Sequence, residues 1–104
     1  MAVEVVNNET DERFEIRVDG ELAGLAEYQS RRGIIAFMHT ETTPAFKGQG
    51  FGRQLVAEAL DGARAEGLWV LPFCPFVCAY IVEHPEYIGL VPRDLHANFG
   101  YSAD

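Results

Sequence analysis

Three short stretches of this chain carry residue types able to do chemistry. In "KGQGFGR", residues 47–53, glycines occupy positions 48, 50 and 52 between Lys47 and Arg53, directly ahead of an apolar-periodic run. A glycine-rich turn at a helix mouth leaves backbone N–H groups free to hold an anion, and bare backbone lets a pyrophosphate come close. In "FMHTE", His39 and Glu41 stand two apart, the spacing of one strand face. Histidine titrates near pH ~6.5 as a residue type, which suits a base, although a strand histidine also serves as a simple ion-pair partner. In "LPFCPFVC", Cys74 precedes Pro75 at the head of a second apolar run. A cysteine capping a helix feels the positive end of the dipole, which favours the nucleophilic thiolate. The plainer alternative is a buried cysteine that fills space.

The glycine loop is not one of the two common phosphate motifs. A mononucleotide loop needs Lys and Ser/Thr after its last glycine, and neither follows Gly52. The dinucleotide fingerprint needs a third glycine where Arg53 stands. What remains is a strand, a glycine turn and a helix N-terminus. Either it holds an anion between Lys47 and Arg53, or its glycines serve only the turn.

The elements that must position these groups are legible in outline. "VEVVN" reads as a short strand, and "RFEIRV" alternates Phe14, Ile16 and Val18 against Arg13, Glu15 and Arg17. Asp19–Gly20 signals a hairpin, with "ELAGLAEYQ" as the return strand. "SRRG" then leads into "IIAFMHTE", where plain alternation puts Ile35, Phe37, His39 and Glu41 on one face and Ile34, Ala36, Met38 and Thr40 on the other. The simplest assembly is an antiparallel meander. Phe51, Leu55, Val56, Ala59, Leu60 and Ala63 form one helical stripe that Gly67 closes. "LWVL" predicts a buried strand, and "CPFVCAYIVE" a second helix with Pro75 in its first turn, ended by Pro85. The fold class is mixed α/β.

Bulk properties narrow the function. At 104 residues the chain predicts one domain, and 48% hydrophobic with 23% charged residues is an ordinary globular balance. The net charge of −8 opposes nucleic acid and suits cationic small molecules or basic peptides. No apolar stretch reaches the roughly 18 residues of a membrane span, and "MAVEVVNNET" lacks a basic-then-apolar leader. The expectation is a cytoplasmic protein without a membrane partner. Two cysteines four residues apart make neither a disulfide framework nor a zinc site, so no metal is expected.

"TTPAFKGQGFGRQLV" resembles motif A of the GNAT superfamily of acetyl-CoA-dependent N-acetyltransferases. That motif reads Gln/Arg-x-x-Gly-x-Gly/Ala on the loop between the fourth strand and the next helix. Here it reads Lys47-x-x-Gly50-x-Gly52, with Pro44 ahead of it and Leu55–Val56 behind. Lysine keeps the charge of arginine and loses the bidentate fork. The likeness covers about residues 10–91, most specifically 37–91, and points to a small single-domain branch of the family, leaving 92–104 as a tail with a frayed end. The resemblance implies a minimal GNAT fold, a mostly antiparallel (α+β) sheet whose fourth strand, loop and helix hold coenzyme A. It implies a pyrophosphate on the amides of Lys47, Gly48, Gln49, Gly50, Phe51, Gly52 and Arg53, and a pantetheine arm along the strand end at Glu41–Thr42. It further implies acetyl transfer to an amine that no motif identifies, with His39 and Glu41 as candidate base and partner and Tyr80 as proton donor to the leaving thiolate. A cysteine at the place of Cys74 adds a possible acetyl-cysteine step, activated by His39. A module that binds coenzyme A without turnover is the competing reading. Oligomeric state is not legible.

Overall fold

The computed structural model describes residues 1–101. Four strands run in chain order as an antiparallel meander: β1 (Val3–Asn8), β2 (Arg13–Val18), β3 (Glu21–Arg31) and β4 (Ile34–Thr42). The β2–β3 hairpin turns on Asp19 and Gly20, both with positive φ (52° and 84°), the mirror-image turn that matches strand twist. A 3₁₀ turn, Pro44–Phe46, and the glycine loop lead into α1 (Phe51–Ala65). The chain then returns as β5 (Trp69–Pro72), parallel to β4, and continues into α2 (Pro75–Glu83).

Helix α1 buries the predicted stripe of Phe51, Leu55, Val56, Ala59, Leu60 and Ala63 against the sheet. Its inner end closes a cluster with Ile16, Val18, Ala23 and Ala26. The remainder meets Ile35, Phe37, Val70, Val77 and Ile81 in a second cluster beneath α2. Residues 84–101, which include most of the expected tail at 92–104, pack onto the body of the fold. Their 3₁₀ turns wrap the second cluster, burying Tyr87, Val91 and Tyr101, and the Tyr101 hydroxyl donates to the Cys78 carbonyl at 3.1 Å. The frayed end expected beyond Tyr101 lies outside the described residues.

Two β-bulges set the direction of the side chains. In β3 the extra residue is Ala23; in β4 it is Met38, since Phe37 pairs with Tyr28 while His39 pairs with Glu27. An inserted residue reverses the parity of everything after it. Simple alternation along β4 therefore fails at Met38. Ile35 and Phe37 face the helices, and beyond the bulge Thr40 takes over that side, while His39 and Glu41 turn to the opposite face.

That outer face is polar and ordered. Glu15 at its middle is only 3% exposed, clamped by Arg13 Nε at 2.8 Å, Arg17 Nη2 at 2.9 Å and Asn8 Nδ2 at 3.1 Å. The Asn8 amide and the two guanidinium groups hold its carboxyl down at about 2, against the cost of burial.

Candidate functional site

The site grows out of the point where β4 and β5 part. Their pairing runs from Ile34 with Trp69 to Phe37 with Pro72, and the Cys74 amide then donates to the Phe37 carbonyl at 2.8 Å. Past that bond no strand among the described residues covers the outer edge of residues 38–42. The bulge lies where the strands separate, and α1 begins beside the far end of the opening.

At that end the glycine loop does what bare backbone allows. Gly50 caps α1 in the left-handed region at φ 82°, a conformation a side chain would strain. Phe46 packs edge-on against Phe51 with ring centres 5.9 Å apart, fixing the loop over its own helix. Gln54 is the first residue of the turn whose amide finds a backbone acceptor, the Gly50 carbonyl at 3.1 Å. Among the described residues the six amides of 48–53 donate to no protein acceptor. All of residues 48–53 but Gln49 line a cavity of about 180 Å³, together with Thr42, Phe46 and Phe76. Gly52 is needed for close approach: a Cβ there would stand 3.2 Å from Thr42 Oγ1 and 3.4 Å from the Phe76 ring.

The two cations flanking the loop differ. Lys47 is exposed and has no carboxylate partner among the described residues. Arg53 also lines the cavity, and its guanidinium is tied to the end of α2: it meets Glu83 at 2.9 Å and His84 Nε2 at 3.3 Å, and lies 5.5 Å from the Tyr80 ring centre. Gln49 is exposed at the crest of the loop.

Cys74 caps α2 with Pro75 in the first turn, as its sequence position predicts. The residue is 3% exposed, and its sulfur sits 3.3 Å from Thr40 Oγ1. His39 and Glu41 are together, at 3.6 Å, and mostly in water, with 55% and 62% of their side chains exposed. The structure thus brings His39 to Glu41 and Cys74 to Thr40, on opposite faces of β4. The expected pairing of His39 with the Cys74 thiol is replaced by Thr40. Sequence alone missed Thr40 because only the bulge turns it inward.

Tyr80 lies on the buried side of α2, stacked on His84 with ring centres 4.2 Å apart. Burial raises its hydroxyl above the ordinary tyrosine value, against the pull of the Arg53 charge, so the group stays protonated and able to donate. Tyr87 is a structural plug: it donates to Asp61 Oδ1 at 2.7 Å, and burial with that bond pushes its hydroxyl up to about 12. Cys78, one turn after Cys74, donates to the Phe99 carbonyl and packs against the core.

A bulged strand parting from its parallel neighbour, with a glycine turn and helix mouth at the opening, defines a class of acyl-transfer domain. Residues 13–90 match the family model of GCN5-related N-acetyl-transferases, and the chain belongs to that family. Among curated relatives, Protein NATD1 of chicken (Gallus gallus) and of mouse (Mus musculus) are each 29% identical over 86 residues, covering 80% of this chain and 77% of theirs. Protein NATD1 of Homo sapiens gives the same identity over 75% of its length. The family supports acyltransferase chemistry of the N-acetyltransferase type. Among the described residues no helix is long and apolar enough to cross a membrane, and no cluster of side chains suits a metal ion.

Proposed function

We propose that the chain, as one domain, takes acetyl-CoA as acyl donor and transfers the acetyl group to an amine. The observation that carries this reading is the run of six unclaimed amides of 48–53, five of them on residues that line a cavity where an added Cβ at Gly52 would press on Thr42 and Phe76. Converging N–H groups at a helix mouth suit a pyrophosphate, with Lys47 adding charge in place of the family's arginine or glutamine. The uncovered edge of β4 up to Thr42 offers backbone groups to a pantetheine arm in the manner of an added strand.

The transfer follows one of two routes. In the direct route His39, held by Glu41 on the open face, takes a proton from the amine, which then attacks the thioester carbonyl. In the covalent route Cys74 thiolate attacks first, the bond to the coenzyme A sulfur breaks, and the amine then displaces Cys74. In both routes Tyr80 is the proposed proton donor to the departing sulfur. The acidic balance of the chain favours a cationic acceptor. Both cysteines are free, as the reducing cytoplasm would keep them, and the cytoplasm is the proposed compartment.

Calorimetric titration with acetyl-CoA, followed by intact-mass measurement, tests the reading. Binding with one acetyl group mapping to Cys74 supports the covalent route. Binding without an adduct, and acetylation of a panel of amines that is lost in His39→Asn, supports the direct route. Binding with no transfer to any amine would leave a coenzyme A-binding module. No binding refutes the proposal.

A further inference from the structure

We propose that Thr40 is the positioning residue of the Cys74 sulfur, its hydroxyl donating a hydrogen bond to the thiolate at both ends of the transfer cycle. The inference rests on the covalent route above and adds to it a residue outside motif A. It starts from the bulge. Had β4 continued without Met38 as an extra residue, His39 would face the helices and Thr40 the solvent. With the bulge, Thr40 Oγ1 lies 3.3 Å from Cys74 Sγ, within reach for a hydrogen bond to sulfur. No other side chain among the described residues makes such a bond to that sulfur.

The backbone of Cys74 leaves the sulfur little else to choose. Its amide is bound to the Phe37 carbonyl at 2.8 Å, and its carbonyl accepts from the Cys78 amide at 2.9 Å. Only the side-chain torsion is then free, and Thr40 selects the rotamer. Phe37 and Thr40 lie on either side of the bulge, so one irregularity in β4 fixes both the backbone and the sulfur of Cys74. The hydroxyl of Thr40 stabilises a thiolate and cannot take its proton, so it acts on the thiol's readiness and orientation and not as a base.

The chemistry balances without a further reagent. Cys74 thiolate forms a bond to the acyl carbon of an acyl-CoA thioester, and the carbon–sulfur bond to coenzyme A breaks, its sulfur leaving as the thiol with the proton of Tyr80. A neutral amine then bonds to the same carbon and the bond to Cys74 breaks. The amine's proton passes through solvent back to Tyr80, and the Cys74 thiolate returns to the Thr40 hydroxyl.

The test is the pH profile of Cys74 alkylation by iodoacetamide between about pH 6 and 10, read by peptide mass mapping so that Cys78 is scored separately. The groups facing this sulfur's cluster are Cys78 and Tyr80 from α2, Tyr87 and Tyr101 from the closing segment, and Tyr28 from β3. On β4 His39 and Glu41 lie on the other face, and Arg53 reaches the cluster from α1 over Tyr80. None of these is altered by substituting Thr40. In Thr40→Ala the profile moves to alkaline pH by about one unit, a roughly 10-fold loss of rate on its acidic side, the size of a charge-assisted hydrogen bond. Thr40→Ser restores it. The acetyl adduct on Cys74 forms about 10-fold more slowly in Thr40→Ala and normally in Thr40→Ser. Profiles that coincide in all three proteins overturn the proposal, as does a shift in Thr40→Ala that Thr40→Ser leaves uncorrected. Acetyl-CoA titration of the same proteins separates the two levels. Binding retained with coincident profiles removes Thr40 alone. Failure of the unsubstituted chain to bind removes the function on which the inference rests, and the inference with it.

Discussion

Replacing Glu15 by glutamine should cost stability in a way that depends on pH. In the folded chain Glu15 is buried beneath Arg13, Arg17 and Asn8 and titrates at about 2, against an ordinary value of 4.5. A lowered folded value means that the unfolded chain binds a proton first as acid is added. The stabilisation is therefore complete above about pH 4.5 and is lost as pH falls from there toward 2. The full difference corresponds to about 3 kcal/mol. Arg13 and Arg17 keep 28% and 34% of their side chains in water, and screening brings the expected figure to about 2 kcal/mol. Glutamine keeps the size and an acceptor oxygen but loses the charge, and its amide would face two guanidinium groups. Urea unfolding from pH 7 down to pH 2.5 is the assay. Glu15→Gln should lie about 2 kcal/mol below the unsubstituted chain at pH 7. The two curves should converge toward pH 2.5, and 1 M salt should narrow the gap at neutral pH only partly, because the carboxylate is buried. A gap that stays constant from pH 7 to pH 2.5 would refute the electrostatic reasoning and assign the cost to packing.

Three further substitutions probe the loop and the plug. Gly52→Ala should change stability by less than about 1 kcal/mol, because the gain in helix propensity offsets the crowding of Thr42 and Phe76. Its affinity for acetyl-CoA by calorimetry should fall about 10-fold, whereas Gly50→Ala, strained at φ 82°, should lower Tm by roughly 4–8 °C. Tyr87→Phe loses the bond to Asp61 and should cost about 1 kcal/mol at pH 7 in urea unfolding. Because the folded hydroxyl is raised from 10 to about 12, its stabilisation is lost as pH rises through that window, and a smaller alkaline loss in Tyr87→Phe is the expected signature.

Much of this architecture can be read from residue order. The Asp19–Gly20 turn, the stripe from Phe51 to Ala63 and the capping pair Cys74–Pro75 each obey a local rule, and local rules survive folding. The glycine loop was legible for the same reason. What sequence could not show is where a strand inserts a residue. "IIAFMHTE" fits period two without interruption, and only the pairing of Glu27 with His39 and of Tyr28 with Phe37 reveals Met38 as extra. That single offset moved His39 and Glu41 into water and put Thr40 on Cys74. Glu15 was equally hidden, since Arg-x-Glu-x-Arg spells a solvent face until Asn8 closes over it from β1. The segment after Pro92 has no period at all, yet Tyr101 is buried, because 3₁₀ turns bury residues without repeating a pattern.

The bare outer edge of β4 has a consequence for how copies of this chain behave in concentrated solution. Residues 38–42 form about 17 Å of strand edge with no partner strand among the described residues, the kind of edge on which another chain can add a strand. The chain guards it by means already described: the bulge at Met38 interrupts a flat approach, Glu41 projects charge and His39 a polar ring beside it, and Thr43–Pro44 ends it. An occupant of the edge would shield it further. Concentrated protein should thus be more prone to self-association when the cleft is empty, and replacing His39 and Glu41 by apolar residues should remove much of what keeps molecules apart.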